Sequence, residues 1–165
     1  MTDHSDPSHS PNQSPSHEHG HSGSTAPTEA QAWKNDGVRV IPCDQLDGNV
    51  PSTPGMDRKA AINFARVGAQ KLWAGTVHIH PNAKTGAHHH GPLESVIYVI
   101  RGRARMRWGN QLEFVAEAGP GDFIYVPPYV PHQEINASEH EVLECVLCRS
   151  CLLYTSPSPR DVEES

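Results

Sequence analysis

The stretch from Gly86 to Gly102 reads GAHHHGPLESVIYVIRG, and it decides the fold. Three consecutive histidines and Glu94 stand directly before a run rich in β-forming residues. In an extended strand alternate side chains share a face, so His88 and His90 would point to one side and His89 to the other. That spacing lets two imidazoles converge on one metal ion. An antiparallel neighbour can bring the carboxylate of Glu94 to the same point.

A second stretch, residues 120–136, reads PGDFIYVPPYVPHQEIN and supplies a third histidine. His132 follows a turn stiffened by prolines and opens another strand-like run. By alternation along that run Glu134 shares the face of His132, so we expect it to orient a ligand or to act as a general base. Tyr98, in the run after Glu94, could donate a hydrogen bond to a bound substrate.

From Val38 onward short apolar runs are separated by Gly, Pro and Asn, and little of the sequence has a helical period. This pattern predicts an all-β sandwich or barrel. The one helix that we consider lies within residues 55–68, GMDRKAAINFARVG, where the apolar spacing is ambiguous. Residues 1–30 carry few large apolar side chains, so we expect a disordered tail. The histidines of its SHEHGHS segment could chelate a cation loosely.

The two histidine segments resemble the sequence motifs of the cupin superfamily, in particular its single-domain, type-2 members. The residues that match are His88, His90, Glu94 and Gly102 in the first motif, and Gly121, Pro127, His132 and Asn136 in the second. The resemblance covers about residues 55–150 and implies a jelly-roll barrel of the double-stranded β-helix type. It also implies one divalent metal ion held by the three histidines and the glutamate. Fe, Mn or Ni is favoured, with Zn or Cu as alternatives.

Two departures from the family pattern leave alternatives open. Tyr129 stands where the second motif usually has glycine, so we expect the turn to avoid positive φ. The distance from His90 to Gly102 fits a longer form of the first motif, in which the carboxylate position falls on Ser95. A site of three histidines without a carboxylate, as in the thiol dioxygenases of the same superfamily, is therefore an alternative to a site with Glu94.

Strand alternation predicts which side chains around these motifs face inward and which face outward. If Glu94 points inward, Val96, Tyr98 and Ile100 follow it, and the residues between them face outward. Outward Ile97 and Val99 would need cover, and together with the resemblance they predict a homodimer. Unless Gly102 breaks the phase, the same parity puts four arginines on the opposite face: Arg101, Arg103, Arg105 and Arg107. We expect this arginine ladder to form an outer face or a dimer surface rather than the wall of an anion-binding pocket.

Two further pairs of potential metal ligands are not expected to bind a metal ion. His78 and His80 alternate in a strand-like run, but no glutamate follows at the required distance, so we expect them to line a pocket or face solvent. Cys145 and Cys148 are three residues apart and would face opposite sides of a strand, which suits neither a zinc site nor a redox pair. We expect structural thiols.

Composition and charge exclude several classes of partner. The net charge is -6, from 13 basic and 19 acidic residues, and no basic patch is interleaved with aromatics, so we expect no nucleic acid. No apolar run approaches the roughly 20 residues that span a bilayer, so we expect no membrane contact. The first residues lack the layout of a secretory signal, and we expect a cytoplasmic protein.

We divide the chain into the tail 1–30, an N-terminal extension 31–54, a barrel 55–150 and a final segment 151–165. The segment CLLYTSPSPRD, which begins at Cys151, resembles the translation of a sequencing adapter, and we expect residues 151–165 not to be native.

The resemblance implies a metal-dependent enzyme that acts on a small molecule. Dioxygenase chemistry comes first, and isomerase, lyase or decarboxylase chemistry are neighbouring classes. The alternative is a non-catalytic cupin that binds or senses a small molecule or a metal.

Overall fold

The computed structural model describes residues 31, 34 and 36–151. The chain divides into two units, residues 1–38 and 39–165, and the second contains all the strands of the described residues. The expected tail 1–30 and nearly all of the segment expected to be non-native lie outside the described residues. No helix in the described part of the chain is long and apolar enough to cross a membrane.

Strands dominate the described residues, as the sequence predicts. They are β1 (Met56–Ile62), β2 (Leu72–Ile79), β3 (Ser95–Arg101), β4 (Ala104–Trp108), β5 (Phe114–Ala118), β6 (Phe123–Val126), β7 (His132–Asn136) and β8 (Leu143–Ser150). A 3₁₀ turn, Cys43–Gln45, precedes β1, and a one-turn helix, α1 (Phe64–Val67), follows it. The helix considered within residues 55–68 is wrong over most of its length. Buried and exposed residues alternate along β1, which is the period of a strand.

The strands form two antiparallel sheets that enclose the core. Their orders are β1-β2-β8-β3-β6 and β5-β4-β7. Isolated bridges from Lys84 to Ile135 and from His88 to His132 join the segment before β3 to the β7 edge of the smaller sheet. The buried apolar side chains include Val77, Ile97, Val99, Ala104, Met106, Leu143, Cys145 and Leu147. The predicted all-β fold is confirmed.

The parity expected for β3 is wrong by one residue. Along this strand Ser95, Ile97 and Val99 are buried, whereas Val96 and Ile100 are 40% and 48% exposed. The strand begins at Ser95, which pairs with β6 and β8, so the inward face starts one residue after Glu94. The apolar side chains that β3 offers to a second subunit are therefore Val96 and Ile100. The homodimer stays a prediction.

Gly102 changes the phase of alternation between β3 and β4. Its φ is 90°, and a Cβ at this position would lie 2.8 Å from the carbonyl oxygen of Val142, so only glycine fits. The pairing of β3 with β8 shifts register between Val99 and Arg101, just before this corner. Of the arginine ladder, Arg101 and Arg103 are exposed, and Arg105 and Arg107 are partly buried.

A buried asparagine fastens β7, the strand that begins at His132, to the rest of the barrel. The side-chain amide of Asn136 donates to the carbonyl oxygens of Ile79 (2.9 Å) and Glu141 (2.7 Å). Its Oδ1 accepts from the backbone N–H of Ser138 at 2.9 Å. Because all of these partners are backbone groups, the asparagine of the second motif fixes where β7 ends.

The two cysteines of β8 face opposite sides, as expected from their spacing. Cys145 is 3% exposed, whereas Cys148 is exposed. Burial raises the pKa of the Cys145 thiol to about 12, so this thiol stays protonated at neutral pH. Cys145 packs in the core as a small apolar side chain.

Truncation of the core on β8 should destabilise the barrel. Leu143 is 1% exposed, so Leu143→Ala removes a fully buried side chain and is expected to lower the free energy of unfolding by about 2–5 kcal/mol. Leu72→Ala is the matched control, because Leu72 is 58% exposed and its loss should cost about 0.5 kcal/mol or less. Urea unfolding followed by tryptophan fluorescence measures both. Equal losses would contradict this core.

Candidate metal centre

A backbone bridge brings the two histidine segments together. The N–H of His88 donates to the carbonyl oxygen of His132 at 3.0 Å, and the N–H of His132 donates to the carbonyl oxygen of His88 at 2.8 Å. The two imidazole centroids lie 4.5 Å apart. His90, two residues further on, adds a third ring, 4.8 Å from His88 and 5.1 Å from His132.

The ligand atoms of these three histidines lie within 4.8 Å of one another. His89 is exposed and takes no part, as strand alternation predicts. His78 and His80 also lie apart from the group. His78 is 3.9 Å from Glu144, and His80 lies 2.8 Å from Asp57.

Hydrogen bonds fix the tautomers of the three rings. Nδ1 of His88 lies 3.0 Å from the carbonyl oxygen of Gly86, and Nδ1 of His132 lies 2.9 Å from that of Val130. A carbonyl only accepts, so each Nδ1 carries the proton and each Nε2 keeps its lone pair. Nε2 of His90 faces Nη2 of Arg149 at 2.9 Å, and because a guanidinium only donates, this Nε2 also has a lone pair. All three Nε2 atoms are therefore electron-pair donors.

These donor atoms fit a metal ion. The Nε2 atoms of His88 and His132 are buried and have no hydrogen-bond partner, which is costly unless a further group completes them. Burial, and then the positive charge of Arg149, lowers the pKa of His90 to about 3. Burial also lowers the pKa of His132. Both rings are neutral at physiological pH, the form in which imidazole binds a metal.

Comparison with known families and structures agrees with this fold. Residues 75–147 match the family model described as the cupin domain. The barrel is a cupin domain. A comparison with the curated proteins gave no match.

Solved structures share the cupin fold at low sequence identity. The polyketide cyclase RemF from Streptomyces resistomycificus has a TM-score of 0.59 at 20% identity, with 76% of this chain and 91% of that chain covered. An uncharacterised conserved protein with a double-stranded β-helix domain from Klebsiella pneumoniae has a TM-score of 0.53 at 21% identity, with 68% and 90% covered. The Cnp3 cupin domain of Schizosaccharomyces pombe has a TM-score of 0.52 at 10% identity, with 63% and 70% covered. At such identities the likeness is one of fold.

The glutamate of the first cupin motif lies apart from the three histidines. Glu94 is exposed, and its Oε1 accepts a hydrogen bond from the hydroxyl of Tyr125 at 2.6 Å. This hydrogen bond raises the pKa of the Tyr125 hydroxyl. Since the inward face of β3 starts at Ser95, the residue before it opens toward the outer side. The ligand role predicted for Glu94 has no support from its position.

Arg149 lies beside the third histidine of the group. Its Nε donates to Oγ of Ser95 at 3.0 Å while its Nη2 donates to His90. Sequence reasoning missed this arginine, although a signal was present. Buried residues alternate along β8 from Leu143 through Leu147, and the same parity places Arg149 on the inner face.

The two residues predicted to be catalytic lie in different surroundings. Glu134 is 6% exposed inside the barrel, and its negative charge acts to raise the pKa of His132 against the effect of burial. Tyr98 is partly buried and its ring packs against Phe123, with centroids 4.8 Å apart. Only Glu134 is therefore placed to act on the histidines. Both catalytic roles stay predictions.

The proline-rich turn before His132 adopts the conformation that the sequence argued against. Tyr129 has φ of 60°, so the expectation that this turn avoids positive φ is wrong. Its N–H donates to the carbonyl oxygen of Gly91 at 2.7 Å, which ties the turn to the loop after the histidines. This contact holds a non-glycine residue in a conformation that costs of order 1 kcal/mol.

A cavity of about 520 Å³ opens between the sheets and reaches His132. Its walls include residues of β4, β5 and β6 and the loops beside them: Met106, Trp108, Ala116, Ile124, Val126, Pro127 and Val130, together with the acidic Glu117 and Asp122. This volume lies within the range of small-molecule sites, and most of these side chains are apolar. The cavity gives a small molecule a route to the histidines.

Replacement of Glu94 tests whether it is a ligand. Because its carboxylate binds Tyr125 on the outer side, we expect Glu94→Gln to leave the Zn(II) affinity unchanged within about twofold. Glu139→Gln, which changes an exposed carboxylate outside the cavity, is the control for lost surface charge. Zinc titration against a chromophoric chelator measures the affinities. A loss of about tenfold or more in Glu94→Gln alone would make Glu94 a ligand.

Proposed function

We propose that this cupin domain is a mononuclear metalloenzyme that acts on a small molecule. The observation that carries the proposal is the pair of buried, unpartnered Nε2 atoms of His88 and His132. His90 supplies a third donor within 4.8 Å. A bound divalent ion with open coordination positions would supply Lewis-acid polarisation or oxygen activation.

The donor set narrows the choice of metal. Three neutral imidazoles suit Fe, Ni, Zn or Cu, whereas Mn prefers carboxylate and water oxygens. With Glu94 hydrogen-bonded to Tyr125, no carboxylate joins the three histidines among the described residues. We therefore favour Fe or Ni over Mn, and keep Zn and Cu as alternatives.

The residues of the chain orient the histidines and line one side of the site. Carbonyl acceptors hold His88 and His132 so that their Nε2 atoms converge. The largely apolar walls of the cavity lie beside His132. Glu134 is buried near this ring, where its carboxylate can stabilise positive charge on the imidazole or accept a proton from a substrate.

We place dioxygenase chemistry first among the reaction classes. Three histidines without a carboxylate form the donor set that the sequence resemblance links to thiol dioxygenases. Isomerase, lyase and decarboxylase reactions are neighbouring proposals, because one fold supports many chemistries.

One contact favours a second candidate, a non-catalytic cupin that binds a small molecule without metal. Nη2 of Arg149 occupies the lone pair of His90 Nε2 that a metal would need. If Arg149 keeps this position, the barrel holds a ligand and performs no metal chemistry. Metal content separates the two candidates.

Removal of one histidine should empty the centre. We expect near one metal ion per purified wild-type chain, and near none in His132→Ala, because His132 contributes the most buried of the three donors. His89→Ala is the matched control, since this neighbouring histidine is exposed and outside the group. Elemental analysis by plasma mass spectrometry, after growth with Fe, Ni and Zn, gives the stoichiometry. Equal metal in wild type and His132→Ala, or none in wild type, would contradict the proposed function.

Oxygen uptake then separates the reaction classes. Metal-loaded wild type that consumes oxygen with a small acid or thiol, while His132→Ala does not, would support a dioxygenase. Turnover without oxygen would favour the isomerase, lyase or decarboxylase classes.

A further inference from the structure

Besides Glu134, the barrel contains a second buried charged side chain, that of Arg58. Arg58 is 7% exposed, and its place between buried Met56 and Ala60 on β1 puts it on the inner face. It pairs with Val77, a core residue of β2, and paired residues of antiparallel strands project to the same side. Its Nε is buried without a hydrogen-bond partner.

No ion pair within the described residues compensates Arg58. An isolated buried guanidinium is expensive, because its charge has left water without gaining a counter-ion. The arginine therefore indicates an anionic ligand rather than a contribution to stability.

Arg149 approaches the same region from β8. Its two hydrogen-bond partners, Ser95 and His90, are both neutral. The register of β1, β2 and β8 places Arg58 and Arg149 on the same inner face of the larger sheet, and the positive charges of both arginines act to lower the pKa of His90.

The charges inside the barrel do not balance. Among the described residues Glu134 is the buried acidic side chain, and its negative charge acts on Arg149. One excess positive charge remains with the histidines neutral, and a divalent ion would add two more. In a low-dielectric interior this excess attracts an anion strongly.

We infer that Arg58 and Arg149 form a subsite that binds the carboxylate of an anionic substrate beside the three histidines. This inference rests on the proposed function and specifies its substrate class as small carboxylic acids. The planar fork of a guanidinium matches a carboxylate in two parallel hydrogen bonds. The subsite involves neither Glu94 nor Tyr98.

The subsite also couples anion binding to metal binding. Arg149 and a metal ion compete for Nε2 of His90, since this nitrogen has one lone pair. A carboxylate is a stronger acceptor than a neutral imidazole, so a bound acid would draw Arg149 away and free His90. By linkage, the acid raises the metal affinity and the metal raises the affinity for the acid by the same factor.

Titration calorimetry with propionate tests the subsite, with propionamide as its uncharged counterpart. We expect wild type to prefer propionate in both the metal-free and the Zn-loaded protein. Arg58→Gln and Arg149→Gln should each weaken propionate binding by about tenfold or more, because each removes a charged hydrogen-bond donor. Arg103→Gln is the control, since Arg103 is exposed and pairs with Glu117. Arg58→Met fills the same volume and serves if Arg58→Gln does not fold.

The outcomes separate this inference from the proposed function. Propionate affinity that matches that of propionamide, or that survives both arginine replacements, would overturn the carboxylate subsite even if Zn binds. Tighter binding of inorganic phosphate than of propionate would overturn the substrate class. Arginine-dependent propionate binding in a wild type that takes up no metal would support the subsite and contradict the proposed metalloenzyme. The coupling requires that propionate tighten Zn binding in wild type and leave it unchanged in Arg149→Gln.

Discussion

Two backbone hydrogen bonds between His88 and His132 hold the centre together. The residues belong to segments 44 positions apart, and the mutual N–H to carbonyl contacts of 3.0 and 2.8 Å set the distance between their side chains. His90 follows from the first segment by alternation, and β7 continues from the second. This bridge brings the imidazole of His132 next to those of His88 and His90. The cupin barrel positions these two segments, and Asn136 fastens the strand that carries one of them.

The sequence predicted the histidines and the fold, because both depend on local patterns. Alternation of two residues identifies strands, and two histidine motifs at set spacings identify the barrel. Local patterns do not determine the register of a strand, and a shift of one residue exchanges its two faces. The position of Glu94 depended on where β3 begins, and pairing of Ser95 with β6 and β8 determines that start. Only tertiary contacts supply this information.

Positive charge on the inner face of the barrel was not predicted from the sequence. Arg58 and Arg149 stand at inward positions of β1 and β8, where alternation of the neighbouring apolar residues would have placed them. A basic residue in an apolar row is usually assigned to a strand edge or a face exposed to water. Here the inward-facing residues of β1 and β8 include these arginines. Because the uncompensated charge of Arg58 is costly, it indicates a ligand. Residues that weaken the fold thus identify the site more clearly than residues that stabilise it.

Anomalous diffraction from crystals of the Zn-loaded protein would test the three-histidine centre most directly. We predict one strong peak at about 2.0–2.1 Å from Nε2 of His88, His90 and His132, with Arg149 displaced from His90 and Glu94 still bound to Tyr125. A barrel without a peak between these rings, under conditions that load zinc elsewhere on the chain, would contradict it. The three histidines would then form a polar pocket and not a metal site.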